Sequence, residues 1–411
     1  MARQWHDGHS ASVLCVAASP GPEALLASGS EGGEVTVWSQ EGAVVGRLTL
    51  AGGEDVTGVA FSPAAPGPLY VSHGEAVSVF DPRSLKGPAQ RLEGAGEEEI
   101  NAVALNETGS ALAVADDSGA VRVLELPGGR VSRTLRRHTN ICSSVAFRPH
   151  RPNNLVSVGL DMQASEAQSF KCLHLLFFLY FYPFPLFLWQ VMLWGLQKTR
   201  PLWSLNLQEA AEEEDDGHQK PGQLFNPPLA HCVSVSSCGN VVGCAAEDGR
   251  VHLMRIGAGS KLERQGSLKA HSQGASQAHF VGFLSHPYWL VSGGNDCRVA
   301  LWDLSKHPVV APEGKEGGSA PQRRRAKSKA SRKEQSQEKS KARGKTEAGT
   351  DQAEGGGGAA AAGAEGTAGP RLSISHGDKV NWLCPALLKG EPSVVVADQS
   401  SSLTVYPLGQ L

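Results

Sequence analysis

The sequence predicts one large all-β domain built from a sevenfold repeat, and three observations predict it. Forty-eight Gly and 24 Pro against 40% apolar residues, in a chain of 411, call for many short strands joined by tight turns. A segment of the form strand, Ser/Gly-rich turn, strand and apolar anchor recurs seven times. Each copy alternates with period 2, the pattern of a strand with one face in a core.

The copies end, in order, at LLASGSEGGEVTVW (Trp38), LYVSHGEAVSVF (Phe80), LAVADDSGAVRVL (Leu124), LVSVGLDMQ with a later VMLW (Trp194), VVGCAAEDGRVHLM (Met254), LVSGGNDCRVALW (Trp302) and VVVADQSSSLTVY (Tyr406). The anchor spacings are 42, 44, 70, 60, 48 and 104, so three units keep a common length and three carry insertions.

The pair Gly8-His9, the run Leu301-Trp302-Asp303 and the turn NDCRVALW resemble the WD repeat family over all but the inserted segments. Runs such as SVGLDMQ and GDKVNWL resemble one member of that family in particular. The resemblance implies a seven-bladed WD-repeat β-propeller, each blade a four-stranded antiparallel sheet around a central axis. It further implies that the first strand, Arg3 to Trp5, completes the last blade by pairing with Ser402 to Leu408, which removes two exposed sheet edges.

Members of the family tie a blade together through His, Ser, Asp and Trp in a hydrogen-bonded chain. Blade six matches with His271, Ser292, Asp296 and Trp302, and blade four with His138, Ser157, Asp161 and Trp194. Blade one keeps His9, Ser28 and Trp38 but has Gly32 where the Asp falls. A His, Ser and Asp set also invites a hydrolase. Recurrence at repeat spacing assigns each set to its own blade as a structural network instead. No nucleophile elbow, phosphate-cradling Gly loop or metal-ligand cluster is present, so neither catalysis nor a cofactor or metal is expected. The eight Cys include no CxxC pair and are expected to be small buried hydrophobes in strands.

The first insertion, residues 164–190, holds 9 of the 25 aromatic residues. Its run Leu173 to Leu188 contains His174 and is broken by Pro183 and Pro185, and it falls short of the ~20 apolar residues of a membrane span. The stretch from turn Asp161 to anchor Trp194 is far longer than Asp248 to Met254 in blade five or Asp296 to Trp302 in blade six. Removing 164–190 restores the common separation and joins the text as GLDMQ-VMLW. A pyrimidine-rich codon content ending in Gln190 is what a translated splice-acceptor tract looks like, so the segment reads as retained intron or a gene-model error. The second insertion, 208–228, is an acidic loop between blades four and five, with Glu209, Glu212, Glu213, Glu214, Asp215 and Asp216. The third, 306–370 in blade six, is basic and then Gly/Ala-rich, with hardly any large apolar residues, and is expected to be disordered.

The net charge of −3 conceals this third segment: Lys315 to Lys345 carries 12 Lys/Arg and 3 Glu, or +9, leaving −12 elsewhere. The cluster Arg323, Arg324, Arg325, Lys327, Lys329, Arg332 and Lys333 suits a nuclear address or a nucleic-acid patch. No aromatic residue lies among these charges to stack on bases. The amino terminus lacks the pattern of a secretory signal, so the expected location is nucleus and cytoplasm.

At the end of blade two, Phe80-Asp81-Pro82-Arg83 resembles the WDxR box by which many WD repeat proteins dock onto the damage-specific DNA-binding adaptor of cullin-4 RING ubiquitin ligases. Phe80 stands for the Trp, while Asp81 and Arg83 match. The resemblance implies a non-catalytic scaffold, a substrate receptor that acts as a monomer within a ligase complex and holds a client protein. The alternative is a nuclear propeller associating with nucleic acid or chromatin through its basic loop.

Overall fold

The computed structural model describes residues 2–21, 24–64, 67–161, 190–198, 200–207, 229–310 and 369–409. Seven antiparallel sheets of four strands follow one another along the chain. Blade one comprises β2 (Val13–Ala18), β3 (Leu26–Ser30), β4 (Glu34–Trp38) and β5 (Val44–Thr49). Blade two comprises β6 (Val56–Phe61), β7 (Leu69–His73), β8 (Ala76–Phe80) and β9 (Gln90–Leu92). Blade three runs through β10 (Ile100–Leu105), β11 (Ala111–Asp116), β12 (Ala120–Glu125) and β13 (Arg130–Arg136). Blade four holds β14 (Cys142–Phe147), β15 (Asn154–Gly159), β16 (Gln190–Gly195) and β17 (Pro201–Asn206). Blade five holds β18 (Ala230–Val235), β19 (Val241–Ala246), β20 (Arg250–Ile256) and β21 (Leu262–Lys269). Blade six is β22 (Ala275–Phe280), β23 (Trp289–Gly294), β24 (Arg298–Asp303) and β25 (Leu372–Ser375). Blade seven is β26 (Val380–Leu388), β27 (Glu391–Asp398) and β28 (Leu403–Pro407), with β1 (Arg3–Trp5) as its fourth strand.

The closure takes the expected register: Arg3, Gln4 and Trp5 pair with Val405, Thr404 and Leu403. Further bonds tie some blades to the next through the second residue of the innermost strand. Asn381 donates to the Val13 carbonyl at 3.0 Å, Ser143 to that of Ala230 at 2.5 Å, and Ser276 to that of Val380 at 2.6 Å. Each such bond lands on a carbonyl at the bulge that opens the receiving strand, where the ladder is locally interrupted.

One apolar cluster fills each of the seven junctions between neighbouring blades. Cys15, Val37, Val59 and Phe80 join blades one and two, for instance, and Trp5, Trp38 and Val395 join blades seven and one. This arrangement corrects the expectation of strands with one face in a core. Every residue of β3 and β4 is buried, because both faces of a middle strand meet a neighbouring blade. The alternation sorts side chains between two junctions: Leu26 and Trp38 face blade seven, while Ala27, Val35 and Val37 face blade two. Only outermost strands such as β5 present exposed positions along their whole length.

The anchor register fixes the size of the first insertion. Leu26 pairs with Trp38, Leu112 with Leu124, Val242 with Met254, Leu290 with Trp302 and Val394 with Tyr406, always at the same separation along the chain. Leu155 pairs with Trp194, and that pair exceeds the common separation by the full length of 164–190. Gln190, placed in the insertion by sequence, is already in β16 and faces Asn206. Likewise Lys306 to Val310, assigned by sequence to the long loop, continue blade six: the His307 amide donates to the Leu304 carbonyl at 2.9 Å and Val309 is buried. Most of 164–190, all of 208–228 and residues 311–368 lie outside the described residues.

Candidate functional site

The residues of blades four and six lie within hydrogen-bonding reach of one another. In blade four His138 Nδ1 lies 2.5 Å from Asp161, His138 Nε2 lies 2.7 Å from the Ser157 hydroxyl, and Trp194 Nε1 donates to that hydroxyl at 2.8 Å. In blade six His271 lies 2.8 Å from Asp296 and 3.0 Å from Ser292, with Trp302 donating to Ser292 at 3.0 Å. Each Ser oxygen accepts from an indole and faces Nε2 of the imidazole, whose Nδ1 faces the carboxylate. Ser157 and Ser292 are fully buried between indole and imidazole, where no substrate reaches them. Burial disfavours the ionised Asp296, but the Ser272 amide and His271 hold its carboxyl below the usual range. Gly159 and Gly294 make room for the rings: a Cβ there would come within 2.7 and 2.6 Å of His138 and His271.

Blade one differs from the sequence expectation. No side chain at Gly32 is needed, because Glu34 reaches back from β4 to accept from the Ser10 amide at 2.7 Å, the same service Asp296 gives Ser272. Its carboxylate stays 3.7 Å from His9, whose Nδ1 has no hydrogen-bond partner among the described residues. Burial therefore lowers the His9 pKa to about 4. Blade seven contains a network the sequence reading missed: His376 lies 2.8 Å from both Asp398 and the Tyr406 hydroxyl. A His placed before the innermost strand, at nearly the separation from the turn Asp that blades four and six use, is the signal that finds it. Burial raises the Cys15 and Cys384 thiols to about 12 and Cys232 to about 11, whereas Cys238 and Cys297, expected to be buried, are half-buried in turns. Among the described residues no cluster of His, Cys, Asp or Glu is arranged to hold a metal, and no helix is long and apolar enough to cross a membrane.

The chain's open chemistry lies on the rim, where β8 ends. Phe80 is fully buried between blades one and two, so it positions the turn and does not reach the surface. Asp81 accepts from the Arg83 amide at 3.0 Å, and its carbonyl accepts from the Ser84 amide at 3.0 Å. This Asx turn fixes the backbone that carries Arg83. The Arg83 side chain is exposed and has no ion pair or hydrogen bond among the described residues. Beside it opens a groove of about 890 Å³ lined by Leu25, Val45, Phe61, Val79 and Pro82. Blade six repeats the turn, the Ser305 amide donating to Asp303 at 2.9 Å, but has no guanidinium there and pairs Asp303 with His286.

The WD domain, G-beta repeat family matches residues 3–39 and 262–303, segments that hold the first three strands of blades one and six with their His, Ser and Trp. The chain is a seven-bladed propeller that carries WD repeats at these segments. It is similar to the WD repeat-containing protein 53 homolog of Dictyostelium discoideum, 24% identical over 315 residues that cover 73% of this chain and 77% of that protein. It is also similar to Protein SPIRRIG of Arabidopsis thaliana, 37% identical over 84 residues, 19% of this chain but 2% of that much longer protein. As a WD-repeat propeller the molecule has the architecture of a protein-interaction scaffold, a rigid ring that displays turns on two faces. The seven basic residues from Arg323 to Lys333 lie outside the described part of this WD-repeat propeller.

Proposed function

We propose that this propeller is a non-catalytic substrate receptor that docks onto the adaptor of a cullin-4 RING ubiquitin ligase through Asp81 and Arg83. The observation that carries the proposal is the Arg83 guanidinium, unpaired among the described residues and held by the Asp81 turn at the lip of an apolar groove. Paired to a neighbouring blade, Arg83 would have a structural use. Unpaired and next to Val45, which is 50% exposed, it has the make-up of an interface anchor with an apolar surround.

The test is capture of the adaptor by the intact chain and by Arg83→Ala and Val45→Glu. Both positions are exposed, so both variants should melt with the parent. Loss of a central anchor costs about 2 kcal/mol or more, a fall of roughly 30-fold in affinity. Adaptor binding unchanged in both variants would remove the docking assignment and leave the scaffold.

A further inference from the structure

The rim face that carries Asp81 and Arg83 has a second groove three blades away. It holds about 560 Å³ and is bounded by three turns: residues 148–154 and 195–198 of blade four, and 257–260 of blade five. Four of its lining residues are Arg148, His150, Arg151 and Lys198, and none is Asp or Glu.

Several cations elsewhere on the ring are paired with acids. Arg130 pairs with Glu125, Lys261 with Glu263, Lys389 with Glu41, and Arg122 and Arg136 with Glu97. Arg151 and Lys198 are exposed, and neither side chain has an ion pair or hydrogen bond among the described residues. Arg148 forms the floor, donating through Nε to the Gly239 carbonyl at 2.5 Å and through a terminal nitrogen to Asn240 at 3.0 Å. His150, at the exposed edge, is within 3.5 Å of Glu107. The walls are preformed: the Arg151 amide donates to the Arg148 carbonyl at 3.1 Å, that of Asn154 to the Arg151 carbonyl at 2.8 Å, and His150 takes a left-handed φ of 60°.

Like charges brought together on a stiff frame, with no acid among them, are complementary to an anion. The groove spans two blades and far exceeds one carboxylate in volume, and Asn153, Gln197 and Ser260 add neutral polar groups. We propose that it binds an extended, carboxylate-rich peptide segment of a partner protein. The chain's own acidic run, 208–228, lies outside the described residues.

The probe is a fluorescein-labelled peptide of alternating Glu and Ser, long enough to cross both blades, measured by anisotropy against the full chain, with hydrogen exchange to locate it. Binding is expected to weaken at least tenfold in Arg151→Glu/Lys198→Glu, to fall as salt rises, and to slow exchange in 148–154, 195–198 and 257–260. A second chain, with the seven cations from Arg323 to Lys333 changed to Gln, separates this groove from the basic segment and should still bind. Equal binding by the double variant, protection elsewhere, or loss of binding in the Gln-substituted chain overturns the proposal.

Discussion

Replacing Trp5 by Ala should cost the ring about 4 kcal/mol, the range for truncating a fully packed Trp. Trp5 is the one large apolar side chain of the closing strand. It is 4% exposed, packs 5.8 Å from Trp38 between ring centres, and lies in one cluster with Val13, Leu26 and Leu403. For a ring of about 300 residues, an unfolding entropy of ~2.1 cal/mol/K per residue makes 4 kcal/mol worth about 6 °C in the midpoint. Arg3→Ala is the control, since it leaves the same backbone pairing. Arg3 contributes only an ion pair with Glu391 at 3.3 Å, in which the partners are 40% and 52% exposed. Such a pair is worth under about 1 kcal/mol, or under about 2 °C. Deleting residues 2–7 removes both the indole and the strand and bares the edge of β28, so it should lower the midpoint further than Trp5→Ala. Scanning calorimetry of the three variants decides the matter. A Trp5→Ala midpoint within about 1 °C of the parent, or one no lower than that of Arg3→Ala, would refute closure through this strand.

Acid should destabilise the ring through His9, whose folded pKa of about 4 lies below the ordinary 6.5. Between those values the unfolded chain binds more protons, so stability falls as pH falls, by about 2 kcal/mol at pH 5; urea midpoints should show a shallower fall in His9→Gln. Gly8→Ala would put a Cβ 2.1 Å from two ring carbons of Trp38 and should cost about 1–3 kcal/mol. Gly87→Ala, with nothing within 4 Å, should be neutral in the same urea titration.

The repeat was legible because each anchor must meet a like junction, so blades one, three, five, six and seven share one register between anchor and partner strand. Glu34 was not legible as a network member: it lies past the expected Asp position, and only its longer side chain lets it reach Ser10. The Phe80-Asp81-Pro82-Arg83 run was readable as a motif, but its division into a buried Phe80 and a bare Arg83 depends on blade one, whose Leu25 and Val45 supply the groove wall. The second groove left no sequence signal at all. Arg151, Lys198 and Ser260 are far apart in the chain, and only the meeting of turns from two adjacent blades brings them to one place.

Blade four shows why one blade can carry so long an interruption. The connection between its second and third strands runs over 160–189, where blade three uses only 117–119. If the extra segment contributes only its length, closing a loop about ten times longer costs about 2 kcal/mol. The same blade has a complete His138, Asp161, Ser157 and Trp194 network, whose hydrogen bonds straddle the interruption and are worth about 1 kcal/mol each. The network thus offsets the closure, and β16 keeps the register of its counterparts. Deleting 164–190 places Gln163 opposite Asn206 in the position of Gln190 and leaves a turn as short as that of blade three. The deletion should raise the midpoint by about 3 °C, and Ser157→Ala should lower it more in the parent, with its long connection, than in the deleted form. A deletion that lowers the midpoint would mean that 164–190 contributes contacts of its own, and the segment would then have to be counted as part of the folded protein.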